Sequence, residues 1–219
     1  MSGSGLATYL SPTRTGRKKR NIRRIVRGLP RKSPETALLV EDETDLLLFP
    51  PLRSAWSKVG QTTEVRLSGW NARKVVFGAM DLRTGERLFH LRDRQRSEDF
   101  RPLLNLIRKQ YGSRPVALLL DEDSSHIAKA SLALANKLNI QLLWLPKRAP
   151  ELNPMESLWR HSKDVVCANK QYTTIDHEAR SFVRYLKSQT NEEALQLSGV
   201  RSPDFWLNDQ LSKDFCGLA

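Results

Sequence analysis

The sequence predicts a mixed α/β domain, with a central sheet that is part antiparallel and part parallel and is flanked by helices. Three observations predict it. Short β-rich runs with a turn signal fill residues 36–91, as in an antiparallel meander. Beyond Ser97 the apolar spacing changes to a helical one. Two continuous apolar runs, PVALLL (115–120) and IQLLWL (140–145), then alternate with helical stripes, the pattern of strands buried on both faces.

The elements follow in order. TALLV (36–40) is a short apolar strand ending in Glu41-Asp42-Glu43. The paired prolines of FPPLRSAW (49–56) exclude a central strand there. Thr62–Leu67 and Lys74–Met80 are β-rich, and Arg83-Thr84-Gly85-Glu86 reads as a hairpin turn into Arg87–Leu91. Phe100, Leu103, Leu104, Ile107 and Tyr111 mark a helix, with Ser97 as its N-cap and Glu98 and Asp99 suited to the dipole of its first turn. Ile127, Ala130, Ser131, Leu134 and Leu138 mark a second. A helix is predicted from Pro154 to about Ala168, burying Met155, Leu158, Trp159 and Ser162. Thr174–Ser188 carries a further stripe at Ala179, Phe182, Val183 and Leu186, and Gly199 closes a short last helix. SPDFWLNDQ (202–210) has no clear pattern. Trp56, Trp144 and Trp159 are expected in the core.

Charge divides the chain. The formal net charge is +12, yet residues 1–34 hold ten Arg or Lys and no acid, while the remainder holds 26 bases against 24 acids. Such an arm repels itself and is expected to stay disordered. The expected division is therefore an arm over 1–34, a folded domain over 35–200 and a tail over 201–219. The arm suits a polyanion, on which it gains free energy by releasing counterions. No apolar run approaches the ~18 residues of a membrane span, and there is no signal-peptide core. Cys167 and Cys216 form no metal-ligand spacing and suggest no disulfide framework. A cytoplasmic protein is expected.

Three acids occupy informative places. Asp42 follows the first apolar strand, Asp121 follows PVALLL, and Glu156 lies in the first turn after a loop with prolines at 146, 150 and 154. Function in open α/β sheets gathers at the carboxyl ends of strands. Converging carboxylates repel unless a cation joins them or a pKa rises, and hard divalent ions prefer oxygen ligands. Bland readings compete: Glu156 as a capping-box residue with Asn153 as N-cap, or the aspartates as turn residues. Glu43, Asp45, Glu122 and Asp123 rival Asp42 and Asp121, and spacing does not choose between them. His126 reads equally as a residue at the edge of the site or as a helix-start histidine.

EDETDLLLFPPLRSAW, VVFGAMDLRTGERL, ALLLDEDSSH and LLWLPKRAPELNPMESLWRHSKD together resemble the catalytic domain of DDE transposases, in the bacterial insertion-sequence branch of the mariner-like superfamily. The resemblance covers residues 36–190, and the 34 residues between Asp121 and Glu156 are its most specific element. It implies a ribonuclease-H-like fold, with Asp42, Asp121 and Glu156 as the catalytic acids and metal ligands. It implies two Mg²⁺ ions, with Mn²⁺ able to substitute, and cleavage and strand transfer of double-stranded DNA at element ends. It also implies a homodimer on DNA in a bacterial cell, associated with the nucleoid. Relatives carry helix-turn-helix modules ahead of this domain. Here the arm alone precedes the first strand, so a separate helix-turn-helix polypeptide is an expected partner. The expected DNA contacts are Arg17, Lys18, Lys19, Arg20, Arg23 and Arg24 in the arm, then Lys147 and Arg148 in the loop and Arg160 and Lys163 on the helix. Two departures stand out: Glu122 follows the second aspartate where many relatives have asparagine, and the arm lacks the Gly-Arg-Pro of a minor-groove hook. The rival readings are a DNA-binding relic without catalysis and a two-carboxylate glycosidase.

Overall fold

The structure is a computed structural model that describes residues 14–32, 35–61, 64, 65, 67, 69–147 and 149–215. Five strands form one sheet in the order β3-β2-β1-β4-β5, comprising β1 (Ala37–Leu47), β2 (Arg73–Asp81), β3 (Arg87–Arg92), β4 (Val116–Leu120) and β5 (Ile140–Trp144). β1, β2 and β3 pair antiparallel, whereas β4 pairs parallel with both β1 and β5. The helices are α1 (Arg14–Lys32), α2 (Ser97–Tyr111), α3 (Ser124–Ile127), α4 (Lys129–Lys137), α5 (Pro154–Val166), α6 (Ile175–Ser188), α7 (Asn191–Leu197) and α8 (Asn208–Phe215).

Side-chain alternation along the strands divides the core into two layers. Leu38, Val40, Val76, Met80, Ala117, Leu119 and Leu143 face a layer that includes residues of α1, α5, α6 and α7. Ala37, Leu39, Val75, Phe77, Ala79, Val116, Leu118 and Leu120 face Phe100, Leu103, Leu104 and Ile107 of α2 and Ala135 of α4. The predicted mixed sheet is therefore present, in the predicted sequence order.

Several expectations are corrected. The first strand does not end at Val40. β1 runs on through Glu41-Asp42-Glu43 to Leu47, because β2 stays paired with it as far as Leu47 opposite Arg73. What stops near Asp42 is the parallel pairing with β4, whose last pair is Val40 with Leu119. Residues 14–32 of the expected disordered arm form α1, and Ile22, Val26 and Leu29 bury one stripe of it in the core. The tail expected beyond residue 200 packs as well, through Trp206, Leu207 and Leu211. Ser97 is the first residue of α2, not its cap; Arg96 holds the cap position. The second predicted helix is broken at Ala128 into α3 and α4, since that residue is extended (φ −57, ψ 137). Of Thr62–Leu67, residues 64, 65 and 67 form no strand and the others lie outside the described residues. Trp56 is fully exposed on the segment between β1 and β2, while Trp159 is buried as expected.

Candidate active site

Strand alternation aims the three acids. Asp42 shares the parity of Leu38 and Val40, and Asp121 that of Ala117 and Leu119, so both leave the sheet toward the α5 layer. Each lies two residues beyond the last parallel pair of β1 and β4. Glu156 comes to them from the opposite side on the first turn of α5. A short 3-10 turn (Pro150–Leu152) leads the chain in. Buried Asn153 then anchors the helix, accepting from the Met155 N–H (3.1 Å) and donating Nδ2 to the Glu41 carbonyl of β1 (3.0 Å). The N–H of Asn153 donates to the Pro150 carbonyl (2.9 Å), so the cap bond that a capping-box glutamate would make is already taken and Glu156 is left for other use. Asp42, Asp121 and Glu156 line one cavity of about 230 Å³ with Pro146, Pro150 and Asn153.

The electrostatics are those of crowded carboxylates. Burial, then Glu156 and Glu43, push the Asp42 carboxyl well above its ordinary range. The indole Nε1 of Trp159 donates to Asp42 Oδ2 (3.0 Å) and partly opposes this. Gly78 stands opposite Asp42 on β2 and makes room for the indole: a Cβ there would lie 2.5 Å from the Trp159 ring. Asp121 behaves oppositely, since its hydrogen bond from His126 holds its carboxyl below the usual range. Three carboxylates offer oxygen donors alone, and Asp42 is penalised as an anion by burial and by its acidic neighbours. Such a donor set fits a hard divalent cation.

A second group of charges lies behind the first. Glu41 and Glu43 have the opposite parity to Asp42 and meet His126 of α3 on the α2 side of the sheet. His126 is 1 % exposed, and its ring lies 4.5 Å from the ring of Phe100. Its Nδ1 donates to Asp121 Oδ1 (3.0 Å) and its Nε2 to Glu43 Oε1 (2.9 Å), and Glu41 Oε2 lies 3.3 Å from Nε2. Burial disfavours the imidazolium, but Glu41, Asp121 and Glu43 outweigh it and push the histidine up to about 12. Glu41, Glu43 and His126 present ligand atoms within 4.8 Å of one another, a spacing a metal ion would also accept. The imidazolium already provides a cation there, and it links the second acid to the two glutamates that flank the first. The sequence reading left His126 undecided and passed over Glu41. Alternation along β1 is the signal that would have found this group.

The expected DNA contacts disperse. Lys18 pairs with Glu122, the neighbour of Asp121, and Lys147 reaches the other oxygen of Glu122 at 3.5 Å. Lys19 and Arg160 line a groove of about 690 Å³ that also touches Glu156. Arg17, Arg20 and Arg24 are exposed along α1. The Arg23 Nε instead donates to the Trp206 carbonyl (2.7 Å) and clips α1 to the C-terminal segment. Lys163 lies two turns beyond Glu156 on α5 and lines a separate pocket with Asp45, Cys167 and Glu178. Arg148 lies outside the described residues.

A family model described as DDE superfamily endonuclease matches residues 37–177, more than half of the chain and all three acids. The chain belongs to this family. Among curated proteins, the chain is 25 % identical over 153 residues to the insertion element IS630 uncharacterized 39 kDa protein of Shigella sonnei. That match covers 69 % of this chain and 45 % of the relative, so the chain spans less than half the relative's length. Among solved structures it resembles the catalytic domain of Mos1 mariner transposase, with a TM-score of 0.62 at 15 % identity over 94 % of this chain and 95 % of the other. It also resembles the mariner Mos1 paired-end complex with Mg, with a TM-score of 0.67 at 18 % identity over 98 % of this chain and 66 % of that one. At such identities the likeness establishes the fold: the five-stranded sheet and its helices are those of the Mos1 catalytic domain, and the ribonuclease-H-like expectation holds. Among the described residues, no helix is long and apolar enough to cross a membrane.

Proposed function

We propose that this DDE endonuclease is the transposase of an insertion sequence, cutting DNA at the element ends and joining them to a target. One observation carries the reading: acids from β1, from the end of β4 and from the first turn of α5 line a single cavity. Asp42, Asp121 and Glu156 would hold two divalent ions, Mg²⁺ with Mn²⁺ as substitute, which when bound stabilise charge on the attacking and leaving oxygens of a phosphodiester. The chain's own residues do the positioning. Trp159 fixes the first aspartate, His126 the second, and Asn153 the helical turn that carries Glu156. Lys147 and Arg160 bring cationic groups to the edge of the cavity, where they hold backbone phosphates and read no sequence. Arg17, Arg20 and Arg24 extend that charge along α1. The paired-end complex named for Mos1 transposase supports action on paired DNA ends; a homodimer of this chain would bridge them, and a separate helix-turn-helix polypeptide would supply end recognition. The enzyme would work in the bacterial cytoplasm, on nucleoid DNA.

The test is nicking of a supercoiled plasmid that carries the sequence flanking the gene. We expect strand breaks that require Mg²⁺ or Mn²⁺. Asp121→Asn or Glu156→Gln should each slow them by more than about a hundredfold, since each removes several kcal/mol of transition-state stabilisation. Undiminished nicking by either variant defeats the assignment. Salt-sensitive DNA binding with no metal-dependent break in the wild type would identify a relic instead.

A further inference from the structure

Two lysines expected to meet DNA are already occupied. The Lys18 Nζ donates to Glu122 Oε1, and the Lys147 Nζ lies 3.5 Å from Glu122 Oε2, so one carboxylate bridges α1 and the loop after β5. The fold sets this bridge in place. Lys18 stands one turn ahead of Ile22 and in line with Val26, so the stripe that docks α1 carries Lys18 to the end of β4. Lys18, Ile22, Ile25 and Glu122 line one small cavity with Leu142 and Leu143 of β5. The bridge lies at the rim of the acid cavity: Asp121 precedes Glu122, Pro146 precedes Lys147, and both of these neighbours line the cavity.

Two ammonium groups converging on one carboxylate present the donors that would hold the oxygens of a phosphate. Here an anion of the protein itself fills that position. The partners stay partly open to water, with side-chain exposures of 30 % for Lys18, 23 % for Glu122 and 65 % for Lys147, so these are screened pairs that another anion can displace. Building on the transposase reading, we propose that Glu122 is an internal substitute for a DNA phosphate, withholding Lys18 and Lys147 from DNA until a backbone phosphate displaces it. Glu122 thereby lowers the affinity of the enzyme for DNA, and it ties α1 and the loop after β5 to the second acid while no DNA is bound. A duplex seated at the acids exchanges the carboxylate for its own phosphates and opens the bridge.

The test measures binding of a fluorescent duplex of about 20 base pairs to the full chain over a range of salt, in EDTA so that nothing is cut. We expect Glu122→Gln to bind about three- to tenfold more tightly than the wild type at low salt, with the gain shrinking as salt screens the internal pairs. Removing any acid near DNA gives some gain of this kind, so the substitution is repeated in a Lys18→Met/Lys147→Met background. There the gain should fall below about twofold, because the partners that Glu122 withholds are gone. Lys147→Met alone, at an exposed position, should also reduce it and serves if the double background does not fold. Thermal melts establish which variants are folded. Equal or weaker binding by folded Glu122→Gln, or a gain undiminished without the lysines, would overturn the proposal. Metal-dependent nicking by the wild type is scored in parallel. Nicking without the gain removes the bridge assignment alone, while the gain without nicking removes the transposase reading and leaves the bridge.

Discussion

At Gly78 an added methyl group would lie 2.5 Å from the Trp159 ring, whose Nε1 holds the carboxylate of Asp42. Gly78→Ala must therefore displace a buried indole. We expect a loss of about 1–3 kcal/mol, or a melting temperature lower by roughly 2–4 °C per kcal/mol for a chain of this size. DNA cleavage should fall further than that loss accounts for, because Asp42 moves with the ring. A thermal melt and a nicking assay on the same preparation check both. His126→Gln keeps one hydrogen bond and loses the positive charge between Asp121 and the glutamates. It should cost 10–100-fold in cleavage rate and raise the Mg²⁺ concentration needed for half-maximal rate. A variant that melts lower yet keeps its metal requirement would make His126 structural only. Sequence reasoning reached the three acids through the spacing of a known family. It missed the group around His126 because β1 was read as ending at the acids, and a strand that has ended has no far face to place Glu41 and Glu43 on.

Among the elements, α5 was the most legible. Pro154 at its first position, Asn153 before it and the stripe of Met155, Leu158 and Trp159 set its start and its buried side without tertiary information. α1 was the least legible. Its apolar stripe is Ile22, Val26 and Leu29 with Ile25 partly buried beside them, set among ten basic residues, and the absence of counter-charge looked decisive. It was not, because a helix needs one apolar face to dock, and the bases lie on the others or find partners such as Glu122 and the Trp206 carbonyl. Val26 is 1 % exposed. Val26→Asp places a carboxylate in that contact and should detach α1, with a melting temperature lower by several degrees and faster proteolysis after the helix arginines. An unchanged melt would mean that α1 does not contribute to the core. The α3–α4 break was equally hidden, because the backbone turns at Ala128, a residue type that favours continuing a helix.

Across the whole molecule, stability should depend on a carboxyl far from the acids. Glu178 of α6 is 2 % exposed and accepts from the Cys167 thiol. Burial raises its pKa above the ordinary value, opposed by Cys167 and Lys163. A folded-state pKa above the unfolded one gives a contribution fully present below the unfolded value, about 4.3, and lost as pH rises through the folded value. Glu178→Gln should therefore melt above the wild type at pH 7 and converge with it near pH 4, as calorimetry across that interval would show. Equal melting temperatures throughout would mean that the carboxyl is not penalised. The layered sheet was legible from periodicity. The docking of both terminal segments on one layer was not, since it depends on Arg23 meeting a backbone carbonyl far along the chain. One further consequence belongs to β1. Its neighbouring residues serve opposite layers, so sliding the strand by a single position would hand a glutamate to α5 and send the aspartate toward the imidazole. The glycine facing Asp42 works as a locating notch against that slide, because one step either way would set Phe77 or Ala79 opposite the aspartate, while the indole stays seated over Gly78 and no longer meets it.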